Sequence, residues 1–334
     1  MFTVLITGCS KHSKGVVDCL TNNYDNQYVR VIGVDCNKNN LLKAGVAHTF
    51  VVPRVDDKRY LPKLRSICTQ LGVNVILPYI TSELEILSLN KSYFEEVGVH
   101  VSVSSLESLK IVNDKVKLYE KYKQFMPEQI VAKNKDEAEH FINEHEKVCC
   151  KISNGCGGTG FAIVDDKKAY DMSLFNKARV PRYITKEFLY ECIERFKGDV
   201  ILQEYIEGID YSTCILSNNG DTLGICGYEG MSMEYGAVMS GIISKNDTAY
   251  DIHKQIVKDL GIDGNSCADF IINKKQVKLL EINPRLNASL PFVSEAGANF
   301  IYDRCKMLVG QSFDTDYNIK YGLEMRKYYE NEYF

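Results

Sequence analysis

The stretch Ala268-Asp269-Phe270-Ile271-Ile272, followed after a polar turn by Leu279-Leu280-Glu281-Ile282-Asn283-Pro284-Arg285, decides the fold of this chain. Two apolar, β-branched runs flank a short polar loop, a pattern that predicts a β-hairpin. With an odd number of loop residues, Asp269 lies opposite Glu281, and strand alternation places Asn283 on the same face. Oxygen side chains of this kind suit Mg²⁺ shared with substrate phosphates better than a dedicated metal cage. An ordinary hairpin with solvent-facing acids is the alternative, but a glutamate inside an apolar strand needs a cation or another partner.

The composition is typical of a globular chain with more than one domain. The chain has 334 residues, of which 45% are hydrophobic and 25% charged, so it can bury substantial cores. A formal net charge of -4 argues against nucleic-acid binding dominated by phosphate neutralisation. The twelve cysteines are dispersed, with no C-x-x-C pair and no zinc spacing, and we interpret them as reduced thiols of a cytoplasmic protein. We expect neither a signal peptide nor a membrane segment, because no basic n-region and no sufficiently long apolar run is present.

The first third of the chain alternates strand and helix patterns. Val4–Ile6, a helical stretch and Val29–Asp35 form a βαβ unit, and the alternation continues to about residue 105. This pattern predicts a doubly wound, parallel α/β domain. Asp35 ends the second strand, where a ribose-binding acid lies in dinucleotide folds, but the turn after the first strand lacks G-x-G-x-x-G. The missing fingerprint disfavours a nicotinamide site.

The rest of the chain mixes helices with strands that read as antiparallel. Helices are predicted over about 82–94, 106–112, 115–122, 135–145, 166–198, 250–260 and 294–308. Val148–Ile152 and Val200–Ile206 are predicted strands, and an antiparallel region continues to Ile243. The charged, tyrosine-rich tail beyond Gly310 is left without an assigned structure.

A glycine-rich loop, Ser153-Asn154-Gly155-Cys156-Gly157-Gly158-Thr159-Gly160, lies between two apolar strands. Because clustered glycines cost backbone entropy, they indicate close approach of the main chain to a ligand, and successive N–H groups can form an anion-binding nest. The loop is not a Walker A motif, since no Gly-Lys-Ser/Thr follows. Lys151 precedes it on the first strand, placed to reach a phosphate beneath the loop. A flexible hairpin loop remains the alternative.

These segments occur in the order found in ATP-grasp enzymes, and the chain resembles that superfamily over about residues 110–308. The Asn283-Pro284-Arg285 ending is most similar to the branch of the carbamoyl-phosphate-synthetase large chain. The resemblance implies a two-lobed ATP-grasp fold over 106–310, with a lid at about 125–203. It also implies a pre-ATP-grasp α/β domain over 1–105 and leaves a tail over 311–334.

The resemblance assigns site residues, each with a solvated or purely structural role as its alternative. The implied phosphate-binding residues are Lys115, Lys151 and the loop residues Ser153, Gly157, Gly158 and Gly160. The implied adenine hinge is Gln203, Glu204, Tyr205 and Ile206, and Asp210 would bind the ribose, although glutamate is commoner there. The implied ligands of Mg²⁺ or Mn²⁺ are Asp269, Glu281 and Asn283, and the implied catalytic residues are Arg285 and Lys151.

The activity implied by the resemblance is ADP-forming, carboxylate–amine ligation with ATP and a divalent metal. Such chemistry requires mainly positioning and charge neutralisation, which these residue types can supply. Two alternatives stay open: a phosphotransferase on the same fold, and a non-catalytic ATP-binding subunit. The expected partners are a small-molecule carboxylate and an amine, with no nucleic acid and no membrane, and a homodimer is left open.

Overall fold

Three β-sheets organise the protein in the computed structural model, which describes residues 1–42, 45–153, 160–171, 182–234 and 237–328. The strands are β1 Phe2–Thr7, β2 Val29–Asp35, β3 His48–Val51, β4 Val75–Pro78, β5 His100–Val101, β6 Gln129–Ala132, β7 Val148–Ile152, β8 Ala162–Val164, β9 Tyr183–Ile184, β10 Val200–Glu204, β11 Ile209–Asn218, β12 Asp221–Glu234, β13 Ala237–Ser244, β14 Gly264–Ile272, β15 Val277–Asn283 and β16 Glu324–Arg326. The α-helices are Lys14–Thr21, Lys38–Leu41, Tyr60–Leu71, Leu84–Leu89, Lys91–Glu95, Leu106–Val112, Lys115–Tyr122, Lys135–Glu144, Asp166–Ala169, Lys186–Arg195, Asp247–Leu260, Leu290–Glu295 and Phe300–Leu308.

The first sheet is parallel, in the order β3-β2-β1-β4-β5. Every residue of β1 is buried, as expected for a strand whose two faces are both covered by helices. The strand order reverses beside β1, which is the switch point where doubly wound sheets open a crevice at the carboxyl ends of their strands. The predicted doubly wound α/β fold is confirmed.

The second sheet has the order β6-β10-β7-β8-β9, with antiparallel pairs except for β8 and β9. One prediction here is wrong, because 166–198 is not helical throughout. Two helices, Asp166–Ala169 and Lys186–Arg195, are separated by β9, which pairs with Ile163 and Val164. Pairing with an existing apolar edge therefore outweighed the helical propensity of the flanking residues. Residues 172–181 lie outside the described part of the chain.

The third sheet is antiparallel, in the order β15-β14-β11-β12-β13-β16. It contains the predicted hairpin as β14 and β15. Ala268 and Phe270 on one face pack in a core with the helix Asp247–Leu260, so Asp269 lies on the opposite face.

Two predicted helices are each divided in the structure. The predicted helix 294–308 is two helices, Leu290–Glu295 and Phe300–Leu308. Gly297 between them has a φ of 106° and lies against Asn318, whose carbonyl oxygen is 2.7 Å from the place of a Cβ atom. Left-handed backbone ends the first helix there. The predicted helix 82–94 similarly breaks at Asn90.

The tail beyond Gly310 packs on the third sheet. Its strand β16 pairs with β13, and Tyr317 donates a hydrogen bond to buried Asp303 at 2.9 Å. A three-residue strand carries too short a pattern to be recognised in sequence. The domain bounds 1–105, 106–310 and 311–334 stay a prediction.

A buried ion pair joins the first sheet to the third. Arg304 donates to both carboxylate oxygens of Asp263, at 2.9 and 2.7 Å, and to Ser102 Oγ at 3.0 Å. The side chains of Arg304 and Asp263 are only 1% and 9% exposed. Loss of Arg304 would leave the buried Asp263 carboxylate with only the longer contact to Lys91 Nζ, at 3.8 Å. Loss of Asp263 would remove the described counterion of the buried guanidinium.

We expect Arg304→Ala to lower the free energy of unfolding by about 3–5 kcal/mol, the usual effect of breaking a buried pair. Lys245→Ala is the matched control, because it breaks the exposed Lys245–Asp247 pair and should leave stability nearly unchanged. Urea unfolding of both variants tests this. Equal midpoints for the two variants would contradict the expected role of Arg304.

Candidate functional site

The structure pairs Asp269 with Glu281 across β14 and β15. Ile272 pairs with Val277, so the loop 273–276 has four residues, and the odd count that would place the acids opposite each other is not met. A β-bulge shifts the register between Asp269 and Phe270 and inserts one extra residue, Leu280, into β15. The bulge therefore restores the facing carboxylates that the loop length alone would have prevented.

The predicted metal ligands lie together on one face of the hairpin. Asn283 follows Glu281 by two residues, and its Nδ2 donates to Glu281 Oε1 at 3.1 Å. Within the described residues, no three His, Cys, Asp or Glu side chains are grouped to hold a metal. The set here has two carboxylates and one amide, so a divalent ion would need further oxygens. Phosphate oxygens of a nucleotide are suitable, as they are in many Mg²⁺ sites.

The carboxylates of Asp269 and Glu281 lie close enough to repel each other. Burial and the neighbouring charge of Glu281 together raise the pKa of Asp269 to about 7, against the lowering effect of a hydrogen bond from Ser212 Oγ at 2.6 Å. A divalent cation between these groups would relieve both desolvation and repulsion. The donor set therefore fits a hard metal ion.

The metal-free protein should lose stability through Asp269 as pH rises from about 4 to about 7. In this window the unfolded carboxyl, with an ordinary pKa near 3.8, has ionised while the folded one still holds its proton. Above about pH 7 this loss of stability is complete, because the carboxyl is then ionised in both the folded and the unfolded state. Thermal unfolding in EDTA between pH 4.5 and 8 should therefore show a flatter profile for Asp269→Asn than for the unmodified protein.

Addition of Mg²⁺ and ADP should reverse this trend, because metal binding requires the ionised carboxylate. Their stabilising effect should grow from pH 6 to pH 8. Parallel profiles of Asp269→Asn and the unmodified protein in EDTA would refute the raised pKa of Asp269.

Arg285 lies at the end of the hairpin and connects it to the first sheet. Its guanidinium donates to Asn283 Oδ1 at 3.3 Å, to the Leu286 carbonyl at 2.8 Å and to Thr81 Oγ1 at 3.0 Å. Thr81 follows β4 of the first sheet. A cation is thus held beside the predicted metal ligands, at the junction of two sheets.

Two buried glutamines link the predicted phosphate lysines. Lys151 Nζ on β7 donates to Gln203 Oε1 at 2.7 Å, and Gln203 Nε2 donates to Gln129 Oε1 at 2.9 Å. Gln129 Nε2 in turn donates to the carbonyl of Lys115 at 3.3 Å. Burial lowers the pKa of Lys151, an effect that the charge of Glu281 opposes. Among the described residues no carboxylate forms an ion pair with Lys151, and a phosphate would supply a counter-charge for this desolvated ammonium.

The glycine loop is described only at its ends. Lys115 Nζ donates to the Ser153 carbonyl at 3.3 Å, so one predicted phosphate lysine contacts the start of the loop. Gly157 and Gly158 lie outside the described residues. Gly160 has a φ of 75°, and a Cβ atom there would overlap Ile152 Cγ1. The end of the loop therefore requires glycine both for its backbone conformation and for space.

We expect Gly160→Ala to destabilise the second sheet. A left-handed alanine costs about 1–2 kcal/mol, and overpacking against Ile152 adds about 1–3 kcal/mol. Gly72→Ala is the control, since Gly72 has a φ of 63° with no atom within 4 Å of the added Cβ. In chemical denaturation, the free energy of unfolding of Gly160→Ala should be well below that of Gly72→Ala. Adding Ile152→Ala should recover part of the difference, and a failure to do so would exclude the steric contribution.

The predicted adenine hinge connects the second and third sheets. Glu204 ends β10 and its N–H donates to the Glu128 carbonyl at 2.8 Å, while the Tyr205 N–H donates to the Lys147 carbonyl at 2.8 Å. The Lys147 ammonium lies 4.5 Å from the centre of the Tyr205 ring. Ile206 is 9% exposed. The main chain is held firmly as it passes from one sheet to the next, as a nucleotide-binding hinge requires.

Gln203, the first residue of the predicted hinge, also contacts the predicted phosphate lysine Lys151. Its side chain is 2% exposed and belongs to the lysine–glutamine network. Asp210 lies on β11 two residues before Ser212, on the same face as Asp269. Burial raises the pKa of Asp210, and its charge contributes to the raised pKa of Asp269. The candidate ribose acid is therefore close to the metal pair.

Sequence reasoning missed Ser212, Gln129 and Thr81, which contact Asp269, Gln203 and Arg285 respectively. No motif marks them. Ser212 could have been found by strand alternation from Asp210, whereas Gln129 and Thr81 come from distant segments. Their roles depend on which strands become neighbours.

A family model for the ATP-grasp domain matches residues 112–289. This match covers more than half of the chain. The protein belongs to the ATP-grasp family. A second model, the PylC-like N-terminal domain, matches residues 4–102. The two matches cover the segments that carry the first sheet and the predicted ATP-grasp lobes.

One curated relative of this ATP-grasp protein is the carbamoyl phosphate synthase large chain of Thermoplasma acidophilum. It is 22% identical over 282 residues, a match that covers 77% of this chain and 25% of the relative. The chain thus spans about a quarter of that protein.

Solved structures with the same fold include several ATP-grasp enzymes. N5-carboxyaminoimidazole synthetase from Staphylococcus aureus, complexed with ADP, has a TM-score of 0.68 and 15% identity, with 94% of this chain and 78% of that chain covered. Biotin carboxylase from Campylobacter jejuni, in a β-γ-ATP complex, has a TM-score of 0.68 and 14% identity, with 96% and 74% covered. L-amino acid ligase from Bacillus licheniformis has a TM-score of 0.64 and 13% identity, with 96% and 78% covered. At these identities, the likeness confirms the fold.

Among the described residues, no helix combines the length and apolar character that crossing a membrane requires.

Proposed function

We propose that the protein is an ADP-forming ligase that uses ATP and Mg²⁺, or Mn²⁺, to join a small-molecule carboxylate to an amine. The observation that carries this proposal is the grouping of the facing carboxylates Asp269 and Glu281 with the Asn283 amide, which donates to Glu281 Oε1 at 3.1 Å. Arg285 donates to Asn283 Oδ1 at 3.3 Å, so a cation is held beside these oxygens. The charge of Glu281 also opposes the lowering of the Lys151 pKa by burial, which supports a phosphate site near the metal ligands.

Each group has a distinct task in this proposal. Lys115 and Lys151 bind the phosphates under the glycine loop, the Glu204–Ile206 segment binds adenine, and Asp210 binds ribose. Asp269, Glu281 and Asn283 hold the metal, which when bound supplies charge neutralisation at the phosphate oxygens. Arg285 stabilises negative charge on the phosphoryl group in transit.

The proposed reaction has two steps. A carboxylate oxygen attacks the γ-phosphorus of ATP, and the bond from that phosphorus to the bridging oxygen of the β-phosphate breaks. ADP departs, and the phosphorylated carboxylate is an acyl phosphate. The amine nitrogen then attacks the acyl carbon, loses a proton and displaces phosphate, giving an amide. The loop that follows Lys151 would exclude water and so protect the acyl phosphate from hydrolysis.

Family membership supports the nucleotide half of this proposal. Two of the solved relatives are named as complexes with ADP or β-γ-ATP, and two are named as a synthetase or a ligase. The identity of the carboxylate and the amine is left to experiment, as is the oligomeric state.

The test is an assay of both ADP and free phosphate over paired libraries of carboxylates and amines, with Mg²⁺ and ATP. A ligase should release ADP and phosphate in equal amounts, only when both substrates are present. ADP without free phosphate would indicate a phosphotransferase instead. Nucleotide binding without ADP formation across the library would favour a non-catalytic subunit. Absence of Mg²⁺·ATP binding would overturn the proposal entirely.

A further inference from the structure

Glu83, which follows β4 of the first sheet, is a buried acid that the proposed reaction does not use. The residue is only 5% exposed. Two hydroxyls donate to its carboxylate: that of Thr7, at the end of β1, and that of Tyr60, 2.9 Å from Glu83 Oε1. Burial raises the pKa of Glu83 to about 7, against the lowering effect of both hydrogen bonds, and the charge of Asp35 adds to the rise. In the described part of the chain, no cation forms an ion pair with Glu83.

A buried carboxyl without a cation is a costly way to fill space. An apolar side chain of similar volume would avoid the desolvation of the carboxyl. What the carboxyl supplies is direction, because hydrogen bonds weaken steeply when donor and acceptor are misaligned. Glu83 thereby ties together β1, the start of the helix Tyr60–Leu71 and the turn after β4.

The turn after β4 also carries the residue that contacts Arg285. It is a short 3-10 helix, Thr81–Glu83, in which Glu83 is buried and Thr81 is exposed. Thr81 Oγ1 accepts a hydrogen bond from Arg285 Nε at 3.0 Å. A hydrogen bond between two mobile, exposed side chains orients them poorly, because both lose conformational entropy when it forms. Because Glu83 fixes the turn two residues from Thr81, part of this entropy is already lost on folding.

The guanidinium of Arg285 is held from two sides. Nη2 donates to Asn283 Oδ1 and Nη1 to the carbonyl of Leu286, both in the same segment as Arg285 itself. Thr81 is the partner that comes from beside the first sheet. A guanidinium has five N–H groups, and these three contacts leave two N–H groups without an acceptor among the described residues. Thr81 therefore sets the orientation in which the other N–H groups can meet a ligand.

We propose that Glu83 is a positioning residue for the ligation reaction, which holds Thr81 in place and thereby orients Arg285 for contact with the phosphoryl group in transit. This inference rests on the proposed function, in which Arg285 stabilises that group. Glu83 needs no contact with nucleotide or substrate. Its contribution is preorganisation, since a misplacement of about 1 Å at an active site can lower the rate by about 10²-fold.

The experiment measures kcat and the KM for ATP of ADP formation by the full chain, with substrates found in the library assay. Glu83→Leu removes the acceptor oxygens at similar volume and should lower kcat by about tenfold, as for a misplaced catalytic group, with little change in KM. Glu83→Gln keeps an acceptor oxygen and should retain most of the activity. Glu85→Leu is the matched control, because it makes the same change at an exposed position two residues further on, and it should leave kcat unchanged.

A double-mutant cycle separates positioning from general damage. Thr81→Val removes the oxygen that accepts from Arg285 Nε and should itself lower kcat. If Glu83 acts through Thr81, adding Glu83→Leu to Thr81→Val should lower kcat little further, because coupled changes do not add. Tyr60→Phe deletes one donor to Glu83 with little change of shape and provides the same cycle where Glu83→Leu does not fold. Its smaller loss of kcat should likewise disappear in the Thr81→Val background.

An unchanged kcat in Glu83→Leu, or in Tyr60→Phe where that variant replaces it, would overturn the inference. Losses that multiply fully in the double variant would overturn it as well, since they would show that Glu83 does not act through Thr81. Failure of the proposed function gives a different result, namely no ADP formation by the unmodified protein, and the inference then falls with it. Turnover that is indifferent to Glu83 removes only the inference and leaves the proposed function intact.

Discussion

Replacing Glu281 with glutamine should abolish measurable ligation, with kcat lower by about 10²–10³-fold or more, as expected when a group that organises charge at a phosphoryl-transfer site is lost. Glu281 faces Asp269 and accepts a hydrogen bond from Asn283. The amide keeps the shape but removes the negative charge that a divalent ion needs. The measurement is ADP formation with substrates found in the library assay, over a range of Mg²⁺ concentrations.

The Glu281→Gln variant should lose activity but should not lose stability. Glu281 contributes to the raised pKa of Asp269, so glutamine removes a repulsion from the metal-free protein. In EDTA at pH 8, Glu281→Gln should be as stable as the unmodified protein or more stable, and stabilisation by Mg²⁺ and ADP should be lost. Asp221→Asn, an exposed acid at the start of β12, should change neither property. Full activity of Glu281→Gln would remove the metal site from the proposal.

Replacing Lys151 with methionine should reduce kcat/KM for ATP by about 10²-fold, in the range found when one charge-stabilising donor is removed. The ammonium is partly desolvated, and a glutamine oxygen at 2.7 Å is its hydrogen-bond acceptor. ATP phosphates would be stronger acceptors, because a hydrogen bond between two charged groups is about twice as strong as a neutral one. Steady-state kinetics with varied ATP measure this effect.

Nucleotide fragments distinguish a phosphate contact from general damage. Lys151→Met should weaken binding of ATP and ADP but leave adenosine binding unchanged, since only the phosphates contact the lysine. Lys135→Met, on the helix Lys135–Glu144 of the same lobe, should alter neither. Equal losses for adenosine and ATP would indicate that Lys151 supports the fold through Gln203 rather than binding phosphate.

The order of segments in the sequence predicted much of the architecture. Buried strands such as β1 and the helices between them already indicated a parallel doubly wound sheet, because apolar runs and helical periodicity are local properties. Strand alternation made the facing of Asp269 and Glu281 depend on an odd loop length, and the four-residue loop needed a bulge at Leu280 to produce it. Local patterns do not reveal such a register shift.

Short elements supported by distant contacts were not predictable. The two-residue strand β9 exists because β8 offers it an edge, and β16 exists because β13 does. The break at Gly297 is required by the approach of Asn318, a residue of the tail that sequence analysis left unassigned.

By itself, the sequence determined which residue types could bind phosphate and a hard metal ion, and that Glu281 and Asn283 would share one face of their strand, because alternation along a strand is a short-range property. Tertiary structure decided their surroundings: Ser212 against Asp269, Thr81 against Arg285, and Gln129 in the lysine network. The physical reason is that burial, repulsion and hydrogen bonding at these groups depend on chain segments that meet only when the three sheets pack together.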